Sequence, residues 1–255
     1  MAQLANGRIV LWQGGSLWTF HVPALPQSKQ RTDVHAHHAI QVTLELDGTF
    51  HLHLADRMVA GPAVVVAADV PHAFEPKGSI ALLFVEPESL AGRALTRTVL
   101  GGEDVVALPA VETATLRDQI GAALATMASD ADLRRLGQSL IDHLVGGTAP
   151  LPVDARVEAG IAWASANLDR RLSVADMAAT VGLSVDRMSH LFVEQTGLAF
   201  RTYLLWLRMT QAVDAYAQGA ALTTAAYDAG FADSAHFSRT FRRMFGLAAA
   251  ELRLA

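Results

Sequence analysis

Seven of the ten histidines of this 255-residue chain fall before residue 73: His21, His35, His37, His38, His51, His53 and His72. His35 and His37 have the two-residue spacing that places side chains on one face of a strand, and His51 and His53 repeat it. Neutral imidazoles converging inside a barrel would bind zinc, iron, nickel or copper. His38 falls on the opposite face from His37. A second chemistry is concentrated near the other terminus. Asp186, Arg187, Ser189, His190 and Glu194 surround the apolar stripe of Met188, Leu191 and Phe192. Ser234, Ala235, His236, Ser238, Arg239, Arg242 and Arg243 surround the stripe of Phe237, Phe241 and Phe245. Arginine forks pair with guanine edges and with phosphates, so two polar helix faces of this kind suit a nucleic acid.

The elements that must carry these residues are legible in the pattern. The run Ala178-Ala179-Thr180-Val181-Gly182-Leu183, then Met188 to Phe192, then Gly197-Leu198 is answered by a second copy. That copy runs Ala225-Ala226-Tyr227-Asp228-Ala229-Gly230-Phe231, then Phe237 to Phe241, then Gly246-Leu247. A short helix, a turn at glycine and a second helix is a helix-turn-helix, here in tandem. Ser173 with Asp176 three residues on predicts a capped helix start, and Ser184 predicts another. The spacing predicts helix from Val153 to the end, with Trp163 and Trp206 in its core. Residues 7–95 read as short strands. Ile40–Leu46 and Thr49–Leu54 alternate apolar and polar, with Asp47-Gly48 as the hairpin turn between them. Val64–Val66 and Ala81–Val85 are further apolar runs, and the whole suggests an antiparallel barrel or sandwich. Residues 112–145 carry a helical period broken at Ser129-Asp130, and Gly146–Pro152 is a linker by composition.

Composition bounds the classes. Hydrophobic residues make up 51% of the chain, enough for a packed core, and there is no cysteine for a disulfide, thiolate site or thiol nucleophile. No signal-peptide pattern stands at the start and no apolar run of about 18 residues occurs, so a cytoplasmic protein without a membrane span is expected. Net charge is -5; residues 1–150 carry 10 Lys+Arg against 15 Asp+Glu, and residues 151–255 carry 10 of each. That neutral C-terminal part is a weaker footprint than the basic domain a strong DNA binder shows.

The C-terminal third resembles the DNA-binding domain of the AraC/XylS family of transcription regulators. The residues that carry the resemblance are Leu172–Ala178, Gly182-Leu183-Ser184, Leu191-Phe192, Gly197-Leu198, Phe200–Leu204, Arg208, Gly230–Asp233 and Phe237–Gly246. Ala248-Ala249 stand where the family has Thr-Pro, and Ala226-Tyr227 near where it has Ile-Ala. The N-terminal half resembles that family's cupin-like sensor domain. His35-Ala36-His37, then Gln41, then Gly48 resembles the first cupin motif with Gln41 in the Glu place. Val70-Pro71-His72 resembles the late histidine of the second, whose Pro-x-Gly element is missing.

The resemblance implies an α+β chain: a cupin-like antiparallel β-barrel over 1–100, a helical linker pair over 101–150, and an all-α DNA-binding domain with two helix-turn-helix units over 151–255. It implies a regulator and not an enzyme, with double-stranded DNA, a small-molecule or metal effector, RNA polymerase and a second copy as partners. Arg239 is the expected base reader, followed by Ser189, His190, Ser238 and His236. Asp186 could accept from a cytosine amine, Ser234 shares the outer face, and Arg187, Arg201, Arg242 and Arg243 are expected on phosphates. His35, His37, Gln41 and His72 are the candidate effector or divalent-metal residues, with hydrogen-bonded pocket walls as the other reading. A metal-dependent cupin enzyme with a helical appendage is the alternative function, and a regulator that has lost DNA for a protein partner a third.

Overall fold

A computed structural model describes residues 5–24, 30–147 and 153–254. Residues 148–152 of the linker read over 146–152 lie outside the described residues. The chain divides into two compact units, one of Met1–Pro150 with Ser238–Ala255 and one of Leu151–Phe237. The segment 238–255, read from sequence with the DNA-binding part, thus makes its contacts in the first unit.

The first unit is built on β1 (Ala5–Trp12), β2 (Gly15–Val22), β3 (Ile40–His53), β4 (Met58–Ala60), β5 (Ala63–Val66), β6 (Ala73–Val85), β7 (Val105–Leu108) and β8 (Leu252–Leu254). They form one sheet in the order β7-β5-β3-β6-β2-β1-β8, with β4 on β3. All pairs are antiparallel except β1 with β8. The expected hairpin at Asp47-Gly48 is not there: both residues lie inside β3, which pairs with β6 from Ile40↔Val85 to His53↔Ala73. The register shifts between Glu45 and Asp47, and Gly48 faces Gly78. A Cβ on Gly48 would come within 2.2 Å of the Lys77 carbonyl, and Gly78 has φ +77°. These glycines serve a close strand crossing and not a reversal. The chain reverses instead after β3, where Leu54 N–H donates to the Arg57 carbonyl at 2.8 Å. Nor does helix persist to the terminus: Ala5↔Leu252 to Gly7↔Leu254 add the tail to β1 as a parallel strand.

Helix α1 (Leu90–Leu95) runs into a π-turn at Thr96–Leu100, followed by α2 (Ala110–Ala125) and α3 (Asp130–Val145). Ser129 starts α3 with a capping box to Asp132, where the helical period breaks. Ile120, Leu133, Leu140 and Ile141 join Leu17, Val42, Leu44, Leu83 and Val85 in one core, so the helical pair packs on the sheet. Arg117 Nε donates to the Glu45 carbonyl at 2.6 Å.

The second unit holds α4 (Ala155–Ser165), α5 (Val174–Thr180), α6 (Val185–Thr196), α7 (Phe200–Ala217), α8 (Leu222–Asp228) and the first turn of α9 (Ser234–Phe245). Ser173 and Asp176 close the capping box expected of them, and Ser184 Oγ accepts from Arg187 N–H. Gly182 and Gly230 take φ +70° and +80° at the turns of the two helix-turn-helix units, a conformation that favours glycine. Met188, Phe192 and Tyr203 are fully buried, Trp206 is buried and Trp163 packs against the same core. Among the described residues no helix is long and apolar enough to cross a membrane.

Gly137 of α3 lies where a Cβ would meet Trp12 Cη2 at 2.7 Å. Gly137→Leu should force α3 off β1 and β2 and lower stability by about 1–3 kcal/mol. Urea unfolding followed by circular dichroism should show a lower midpoint at unchanged slope.

Candidate functional site

The site in the first unit begins where β2 ends. β2 pairs with β6 only as far as Val22↔Gly78. Beyond it the segment 32–35 takes the vacated edge: Thr32 N–H donates to the Phe74 carbonyl, and His35 and His72 exchange backbone hydrogen bonds at 2.9 Å. His35 therefore lies in an isolated bridge and His37 in the loop after it, not on one continuous strand as their spacing suggests. The expected convergence nevertheless holds. Ring nitrogens of His35, His37 and His72 all lie within 4.8 Å of one another, the one such histidine or carboxylate cluster among the described residues.

All three rings are buried. Nδ1 of His35, His37 and His72 lies 2.9, 3.1 and 2.9 Å from the carbonyls of Asp33, Ala39 and Val70. A carbonyl only accepts, so on His35 and His72 the proton sits on Nδ1 and Nε2 presents a lone pair, whereas a neutral His37 has one proton for two acceptors, the Ala39 carbonyl and Gln41 Oε1. His37 Nε2 lies 3.0 Å from Gln41 Oε1, and Gln41 Nε2 donates to Thr43 Oγ1 at 2.8 Å. His72 Nε2 is buried with no hydrogen-bond partner. Burial, with repulsion from His72, pushes His35 down to about 4. Burial, then His72 and His35, hold His37 well below its ordinary value, and burial lowers His72. The cluster is thus neutral at physiological pH. Three neutral imidazoles, each steered by a backbone carbonyl and one of them with an orphaned lone pair, fit a divalent late transition metal.

His38 belongs to a different arrangement. Its Nδ1 and Nε2 each lie 3.1 Å from a carboxylate, Asp69 and Glu88 respectively. Burial alone would lower its pKa, but the two carboxylates outweigh it and raise it to about 9. This imidazolium ties the loop of His35 and His37 to the start of α1, and it lies outside the three-histidine cluster.

Beside the cluster is a cavity of about 570 Å³, its open mouth included. Its walls are Trp18, Phe20, Phe74 and Phe84 from the sheet and Phe245, Leu247 and Leu252 from the C-terminal segment, with Thr32, His35 and Gln41 as the polar groups. Phe245 packs 4.9 Å from the Trp18 ring and stacks over His37 at 6.1 Å. Phe84 stands edge-on to His37 at 5.0 Å. The sequence reading placed Phe245 in a core stripe and did not connect it with the histidines. Trp18, Phe20 and Val22, alternating on β2, were the available signal for an apolar pocket face.

The nucleic-acid candidates divide between two helices. On α6, Asp186, Arg187 and His190 are exposed, while Ser189 is half-buried and donates its hydroxyl to the Val185 carbonyl at 2.8 Å. Phe192 turns inward against Phe200 and Tyr203. On α9, Ser234, Ser238, Arg239, Arg242 and Arg243 are exposed, and His236 is half-buried, edge-on to Phe231 at 5.3 Å. Asp233 caps α9 by accepting from His236 N–H. Arg242 Nε donates to Asp33 at 2.7 Å, so this arginine is engaged within the first unit.

Comparison with known proteins assigns the helical part. The helix-turn-helix domain family matches residues 177–255. A transcriptional regulator of Escherichia coli K12 named YidL, itself uncharacterised, is 38% identical over 98 residues, covering 38% of this chain and 33% of that protein. The arabinose operon regulatory protein of Salmonella typhimurium is 32% identical over 104 residues, 40% of this chain and 37% of its own length. The match thus spans about a third of each of these relatives. Along the whole chain the fold is that of ToxT from Vibrio cholerae O395, with a TM-score of 0.60 at 13% identity, covering 94% of this chain and 97% of that one. Residues 177–255 therefore match the helix-turn-helix domain family and are similar to the corresponding third of these regulators.

Proposed function

We propose that this chain is a sequence-specific DNA-binding transcription regulator, acting in the cytoplasm, whose first unit holds the effector. The observation that carries the reading is the tandem motif over residues 174–245. Its apolar stripes are buried, and Arg187 and His190 on α6 and Arg239 and Arg243 on α9 are each left exposed, the polar face that a groove-reading helix presents. Exposure of the polar face supports DNA; a partner-binding remnant would have no need of it. The cavity and its three histidines support an effector, either a small molecule or a divalent metal on His35, His37 and His72 with Gln41 beside them. ToxT, whose fold this chain shares, has been crystallised with an unsaturated fatty acid bound. A homodimer is the assembly we infer, with exposed Val111 of α2 and Met127 just beyond it as the apolar surface; RNA polymerase would be the further partner of an activator.

The orphaned His72 Nε2 also favours a second reading, a metal-dependent cupin enzyme with a helical appendage. A bound metal would supply a Lewis acid there. Against that reading, among the described residues no carboxylate or lysine lines the cavity to act as general acid or base.

Selection of random duplex DNA on the purified chain should enrich a site with two short blocks about one helical turn apart. Against that site, Arg239→Ala should cost about 1–3 kcal/mol and relax one base position. Arg243→Ala should weaken all sequences equally and reduce the salt slope by about 1. Mobility shifts at two salt concentrations separate the two effects, and parental binding by both variants would misplace the second recognition helix.

The metal reading has its own test. Zinc or nickel titrated into the full chain should bind with a stoichiometry of about one and fail to bind the His35→Ala/His37→Ala double variant. Equal metal content of the two proteins by elemental analysis would leave the histidines as pocket wall.

A further inference from the structure

We propose that the aromatic cavity of the first unit binds an uncharged, largely apolar small molecule, and that this ligand locks Phe245 and β8 against the sheet and thereby lowers affinity for DNA. The proposal rests on reading the first unit as the effector site and names the ligand's class and the direction of its effect.

The class follows from the walls. Trp18, Phe20, Phe74 and Phe84 present ring faces and edges, and the polar groups that reach the cavity are Thr32, His35 and Gln41. Among the described residues Thr32 and Gln41 carry no charge, and His35 has its Nδ1 on the Asp33 carbonyl. A carboxylate or ammonium entering here would be stripped of water with no opposite charge to meet it. An uncharged molecule loses little, and a single hydroxyl on it can pair with one of the polar groups Thr32, His35 and Gln41.

The direction follows from where the walls come from. Phe245, Leu247 and Leu252 belong to the segment after Arg243, and the cavity exists with that segment docked. A ligand in contact with them binds the docked state more tightly than any undocked one, and by linkage shifts the chain toward it. Docking is anchored by the Asp33 N–H bond to the Gly246 carbonyl at 2.8 Å and by the parallel pairing of β8 with β1. Gly246 fits against the histidine loop because it has no side chain: a Cβ would lie 2.5 Å from both the Asp33 carbonyl and His35 Nδ1. In this state the Arg242 guanidinium lies against the Asp33 carboxylate. Both partners are more than half exposed, so the ion pair contributes little to docking itself. Its consequence for DNA is of the same small size, because a phosphate must first displace the Asp33 carboxylate from Arg242.

The test uses the full chain and the matched probes 1-octanol and octanoate. Trp18 lines the cavity, so tryptophan fluorescence should report saturable octanol binding, with octanoate weaker by about tenfold or more. Octanol should slow hydrogen exchange of the amides of residues 246–254 and weaken binding to the selected duplex. Phe245→Ala should weaken octanol binding by about fivefold or more, and Leu247→Ala, the milder variant should the first fail to fold, by about threefold or more. Octanoate binding as tightly as octanol, no saturable octanol binding, unchanged exchange in the tail, or tighter DNA binding with octanol would each overturn the proposal. Failure to select any duplex would instead sink the regulator reading, while the fluorescence and exchange results would still decide the ligand's class and its hold on the tail.

Discussion

The first unit depends on the bend that β3 and β6 make together at Gly48 and Gly78. The two strands stay paired over more than a dozen residues, and such a ladder, if straight, would put its ends far apart. Yet Phe74 near the start of β6 and Phe84 near its end line one cavity. The bulge between Glu45 and Asp47, the positive φ of Gly78 and the missing side chain of Gly48 permit this curvature at one point. A side chain on either glycine would strike the facing backbone. Because side chains alternate along a strand, the bend also fixes which residues look inward, and a slip of one residue would exchange every cavity wall for its neighbour.

Within that enclosure one residue type is held in two charge states. His37 and His38 are neighbours in sequence, both buried. His37 is hydrogen-bonded to a backbone carbonyl and a neutral amide, which cannot repay the loss of water around a charged ring, so it stays neutral. His38 is flanked by Asp69 and Glu88, which can, so it is charged. The charged ring fixes the loop, and the neutral His72 keeps a buried Nε2 lone pair without a partner. A protonated His37 would repel any metal and would be an unpaired charge beside Phe84 and Phe245.

Much of this was legible in the residues. A serine three places ahead of an acid marked a real helix start at Ser173, because a capping box is a local interaction, and Ser129, read only as a break in the helical period, starts α3 in the same way. The apolar stripes of α6 and α9 and the turns at Gly182 and Gly230 followed from helical periodicity. The convergence of His35, His37 and His72 came from a resemblance and not from spacing, since His37 lies on no strand. What could not be read was non-local. Asp47-Gly48 has the composition of a hairpin turn, and only the presence of β6 opposite it shows a bulge. Leu252–Leu254 is too short to announce a strand and becomes one by pairing with β1. Arg242 and Arg243 are adjacent and alike in sequence, but Asp33, over two hundred residues away, engages one of them.

Helix α9 ties the two chemistries together because of its own geometry. Its apolar stripe recurs every four residues at Phe237, Phe241 and Phe245, and the first of these belongs to the second unit while the other two belong to the first. Phe237 packs on Phe231, beside the turn that defines the second helix-turn-helix. Phe245 packs on Trp18 and over His37. An α-helix is continuous and rises about 1.5 Å per residue, so Arg239 stands only about 9 Å along the axis from Phe245. A helix of this length does not absorb a displacement at one end by bending in the middle without a proline, glycine or bulge, and α9 contains none. Phe245 therefore shares one unbroken helical stretch of the first unit, 238–245, with Arg239, Arg242 and Arg243.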